Sequence, residues 1–137
     1  MSTRTTLRPQ VVIPSAQATP ANSGSMAGNI TSAPTILQSL TKLSYSVSWT
    51  GTSPVGTISV QVSNDFTPLA GGGVSGGTWN TLPLNLNGTS VTSIPISGNT
   101  GNGFIDIESL SGGAVQLVYT YTSGTGTLTA TVKAEVA

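Results

Sequence analysis

The chain has 137 residues, with four basic and four acidic side chains, no cysteine and no histidine. This excludes a disulfide framework, a thiolate metal site and a cysteine nucleophile, and it removes the commonest general base and transition-metal ligand. A formal net charge of zero argues against a nucleic-acid partner, because phosphate binding needs clustered Lys and Arg.

Charged residues make up 6% of the chain, against roughly 25% in an ordinary soluble domain. Gly, Ser, Thr and Asn fill the gap. No apolar stretch approaches the ~20 residues of a membrane helix, so no membrane partner is expected. The opening MSTRTTLRPQ leads into no apolar h-region of the secretory kind. Alternating Val, Ile, Leu and Tyr over most of the length argues against disorder.

Residues 1–35 read as an extended N-terminal arm. Four of the eight prolines lie here (Pro9, Pro14, Pro20 and Pro34), and proline both fixes φ and removes a donor. Arg4 and Arg8 are two of the four basic residues, and Val11, Val12 and Ile13 form a compact apolar cluster. Such a segment either frays or orders along a neighbouring subunit, which makes these five residues candidate assembly contacts.

Residues 36–137 read as one β-sandwich domain. In residues 42–50, Leu43, Tyr45, Val47 and Trp49 share a face opposite Lys42, Ser44, Ser46, Ser48 and Thr50. Turn chemistry at Gly51-Thr52-Ser53-Pro54 precedes a second run in which Ile58, Val60 and Val62 alternate with polar residues. The pair is expected to form an antiparallel hairpin. A helical turn at 37–40 is the one rival element.

A glycine-rich loop spans 68–77, and short strands are expected at 79–82, 90–96 and 103–108, separated by Asn87-Gly88 and by residues 97–102. The last quarter carries Val115, Leu117, Tyr119 and Tyr121 on one run, then Leu128, Ala130, Val132, Ala134 and Val136 on the next. Ser123-Gly124-Thr125-Gly126 lies between them, so a second long hairpin is expected. Seven or eight short strands with frequent turns and no helical period give an all-β, antiparallel sandwich or jelly-roll-like fold.

The chemistry available to this chain is sparse. Asp106 and Glu108, two apart on one strand face, could in principle serve glycoside hydrolysis or calcium, but solvent-facing acids opposite Ile105 and Ile107 are the simpler reading. Asp65, after Asn64, suits a strand-ending turn, and Glu135 sits alone in the final run. No G-x-S-x-G elbow and no S-x-x-K around Lys42 or Lys133 is present, and no phosphate-loop motif follows Gly71-Gly72-Gly73. Asn29 and Asn87 match a glycosylation sequon by chance. No enzyme, metal or cofactor is expected. Trp49 reads as core, whereas Trp79, beyond the glycine loop, reads as a surface or subunit contact.

The segments YSVSWTGTSPVGTISVQVSN, residues 45–64, and VYTYTSGTGTLTATVKA, residues 118–134, resemble small Gly/Ser/Thr-rich β-sandwich structural proteins of bacteriophage virions. The resemblance covers about residues 42–64 and 114–134, under half of the chain. It implies a decoration or cement protein, or a minor capsid component such as a penton. Such proteins bind the major capsid protein as trimers or pentamers, reside in the virion after assembly in the host cytoplasm, and have no catalytic residues. A receptor- or carbohydrate-binding module of a phage tail or bacterial surface is the alternative, and it predicts exposed Trp79 or Tyr121.

Overall fold

The computed structural model describes residues 6–13, 24–32, 34–37, 42–65, 67–68, 74–75, 77–86, 88–107 and 113–135. Every regular element among them is a strand: β1 (Thr6–Ile13), β2 (Ile30–Thr31), β3 (Thr35–Ile36), β4 (Lys42–Ser63), β5 (Thr67–Pro68), β6 (Val74–Ser75), β7 (Trp79–Thr81), β8 (Leu84–Leu86), β9 (Thr89–Val91), β10 (Ile94–Ile96), β11 (Thr100–Ile107) and β12 (Ala114–Glu135). The chain is all-β and antiparallel, with one large sheet and two small two-stranded ones.

β4 and β12, each 22 residues long, form the spine. They pair from Lys42 opposite Glu135 to Ser63 opposite Ala114. Near one end, β12 is flanked by β1 and β4 by β11. Near the other, β2 and β3 cover the free side of β12, while β10 and β7 cover that of β4.

This corrects the expectation of two hairpins. The turn clusters at 51–54 and 123–126 do not reverse the chain; they lie opposite each other and bend both long strands together. Ser53 takes a positive φ of 46° and Gly124 one of 83°, with ladder irregularities between Tyr121 and Thr125. Such irregularities change which face a strand buries, because side chains alternate with period two. Accordingly, β4 buries Leu43, Tyr45 and Val47 before the bend, then Ile58 and Val60 after it. On β12, the odd-numbered Val115, Leu117 and Tyr119 give way to the even-numbered Leu128, Ala130, Val132 and Ala134. Both halves of the spine thereby feed one apolar cluster, in a sandwich-like arrangement.

Toward the N-terminus, β1, β2 and β3 all pair with β12. Val12, Ile13, Met26 and Ile30 belong to the same cluster as the spine residues, and Ile13, Met26 and Ile30 have no exposed surface. The reason is geometric: β4 covers only one side of β12, and the other side needs backbone partners and apolar cover. β1, β2 and β3 supply both. Ser32 completes the ladder with its amide to Leu117 O and its Oγ accepting from Leu117 N, each at 2.8 Å.

The run expected at 90–96 is divided between β9 and β10, with Thr92 and Ser93 between them. At the expected helical turn, Leu37 is buried and its amide donates to Gly113 O at 2.9 Å. Residues 38–40 lie outside the described residues.

Candidate functional site

Surface chemistry follows from which positions the strand period leaves outside. Beyond the first half of the spine, Ser46, Ser48 and Thr50 point out from β4, and Thr131, Thr129 and Thr127 stand directly opposite them on β12. The centre of this face is a ladder of three hydroxyl pairs with no charge.

Charge is gathered at one end of the same sheet. Lys42 stands opposite Glu135, and Ser44 lies between Asp106 on β11 and Lys133 on β12. Lys42, Ser44, Asp106 and Lys133 line one shallow groove there. Arg8 occupies β1 at the irregularity between Leu7, opposite Ala134, and Gln10, opposite Val132. These five charged residues come from four strands, so no sequence window contains them.

Asp65, at the far end of the spine, is engaged in structure. Its carboxylate accepts from the Thr78 amide at 2.6 Å, from Thr78 Oγ1 at 3.1 Å and from Ser63 Oγ at 3.1 Å. The Thr78 amide is the main cause of a pKa held below the ordinary aspartate value. The strand-ending role expected for Asn64-Asp65 is thus extended to a clamp across the connection to β7.

Asp106 is exposed, and its suggested companion Glu108 lies outside the described residues. Among the described residues, no three His, Cys, Asp or Glu side chains form a group able to hold a metal. No helix among them is long and apolar enough to cross a membrane.

Of the candidate assembly contacts, Val12 and Ile13 are buried within this chain's own core. Val11 and Arg8 are placed by backbone on β1, and Arg4 lies outside the described residues. Trp79 is half-buried on β7, opposite Ser63. Trp49 packs against the core, as expected, and its Nε1 donates to Gly98 O at 3.3 Å.

Two exposed aromatics remain among the described residues. Tyr121, at the bend, is 40% exposed, and its amide donates to Asn29 Oδ1 at 2.8 Å. Phe104 on β11 is 66% exposed, the most open of the large apolar side chains described. Sequence reading passed over Phe104, although the signal was there. It has the same parity as Asp106 and the opposite parity to the buried Ile105 and Ile107.

No protein-family model, curated protein or solved structure matches the chain. The surface chemistry has to carry the functional reading. Among the described residues this surface offers one hydroxyl ladder, a charged end and two exposed aromatics.

Proposed function

We propose that the chain is a structural protein of a bacteriophage virion, bound to the capsid lattice in many copies as a decoration, cement or minor capsid component. The observation that carries this reading is the uncharged hydroxyl ladder of Ser46, Ser48, Thr50, Thr127, Thr129 and Thr131. A layer of identical subunits brings like surfaces together, and like charges would repel there. A Ser/Thr face avoids that cost and still hydrogen-bonds. Avidity across a lattice multiplies weak contacts of this kind. The resemblance of residues 45–64 and 118–134 to such proteins points the same way.

The test is composition of particles. Virions purified from cells carrying the gene in its native genome are banded by density and analysed by mass spectrometry. The reading expects this chain in many copies per particle, with a lower rupture threshold for shells lacking it. Banded particles without the chain would overturn it.

A second reading, carbohydrate or receptor binding, is favoured by the exposed Tyr121 ring, since an open aromatic face can stack on a sugar. It expects glycan binding by the isolated chain that Tyr121→Ala abolishes.

A further inference from the structure

We infer that two copies of this chain join through their β11 strands, extending the large sheet across a two-fold axis. The inference starts from how the sheet's edges are protected. An open strand edge is a template for pairing, and proteins block it with short strands, prolines or bulges. β1 contains Pro9 and two register irregularities. β10 is three residues with Pro95 at its centre, and β7, β2 and β3 have three, two and two residues.

β11 has none of these devices. It runs eight residues without proline, its register with β4 is unbroken from Thr100 to Ile107, and among the described residues β4 is its one strand partner. It also carries the exposed Phe104. Because the opposite edge is blocked at Pro9, β11 of one copy cannot continue onto β1 of the next. The strand it fits is another β11, which gives an isologous, two-fold contact.

One register makes the exposed residues of β11 self-complementary. With Phe104 opposite Phe104 of the partner subunit, Asn102 faces the partner's Asp106, and Asp106 faces the partner's Asn102. The rings meet at cross-strand distance, where an aromatic pair is favourable, and each carboxylate meets an amide instead of another carboxylate. On the inner face, Ile105 falls opposite the partner's Gly103, so no bulky pair collides. Lys42 and Lys133, the basic residues that share a groove with Asp106, lie on β4 and β12 and do not occupy the edge.

The chain has no cysteine, so single thiols report this contact cleanly. Phe104→Cys should form a disulfide-linked dimer about tenfold faster than Thr92→Cys, an exposed position between β9 and β10 and away from the hydroxyl ladder. Sedimentation should show a species near twice 13.7 kDa that Phe104→Lys converts to monomer, with the urea midpoint of the monomer unchanged.

Register is tested by a swap. Asn102→Asp should weaken the dimer by setting aspartate against aspartate, and Asn102→Asp with Asp106→Asn should restore it. Equal cross-linking of the two cysteine variants, or a species unaffected by Phe104→Lys, would overturn the inference. It rests on strand geometry and not on the virion reading: a trimer insensitive to Phe104→Lys would end it without touching the particle-composition test.

Discussion

Gly51 and Gly126 stand directly opposite each other where the two long strands bend, and neither has room for a side chain. A methyl on Gly51 would run into the Thr125 carbonyl oxygen, and one on Gly126 would sit 2.6 Å from the Thr50 carbonyl oxygen. Backbone atoms occupy the space on both sides, so no side-chain rotation relieves the clash.

Gly51→Ala should therefore destabilise the fold by about 3 kcal/mol, the upper end of overpacking costs. Gly28 is the control, since nothing lies within 4 Å of a methyl added there and its φ is not in the left-handed region. Gly28→Ala should be neutral or stabilising by up to ~1 kcal/mol. Urea denaturation of both variants checks the contrast.

The N-terminal strand offers a second test, because Ile13 is fully buried. Ile13→Ala should cost about 2–5 kcal/mol, the range for truncating a buried aliphatic side chain. A change below ~1 kcal/mol, the scale of an exposed position, would mark β1 as an arm.

Tyr45 and Tyr119 are both sealed in the core with hydroxyls that have no hydrogen-bond partner among the described residues. Burial pushes both phenol pKa values above 10, and for Tyr119 the neighbouring Tyr121 adds to the shift. A raised folded-state pKa contributes stability that is complete below the unfolded value near 10 and is lost as pH climbs from there through the folded value. Stability should fall above pH ~10 by up to roughly 1.4 kcal/mol per pH unit for each buried phenol. Tyr45→Phe should flatten that limb and raise stability at pH 7 by on the order of 1 kcal/mol, since it removes an unpaired hydroxyl. Thermal melts between pH 7 and 11.5 read both effects.

Asp65 sets the acid side. Its pKa is lowered chiefly by the Thr78 amide, so its contribution is present above the unfolded aspartate value near 3.9 and is lost as pH falls below it. Asp65→Asn should reduce the acid sensitivity of the fold. Asp65→Ala should abolish amide-exchange protection at Thr78, whose hydrogen bond is 2.6 Å long in the native chain.

Period-two alternation was enough to read the all-β class and most of the core: Leu43, Tyr45, Val47, Ile58, Val60, Leu117, Leu128 and Val132 were all assigned inward from spacing alone, and all are buried. Alternation is a local property, dictated by the pleat, and a single strand displays it whatever its partner. Partner choice is not local. Gly51-Thr52-Ser53-Pro54 has the chemistry of a reversal, yet it is paired with a second turn-like cluster more than 70 positions away and yields a shared bend.

The same limit applies to Val12 and Ile13. Their apolar character was plain, but only the uncovered side of β12 determined that they would be buried within this chain. The charged end and the open β11 edge were likewise decided by tertiary structure. Register brings Arg8, Lys42, Asp106, Lys133 and Glu135 together from four strands, and an edge is defined by what fails to pair with it. Alternation shows which face of each strand carries the apolar residues; the long-range pairing of β4 with β12 decides which of them are buried and against what, because partner choice is not a local property.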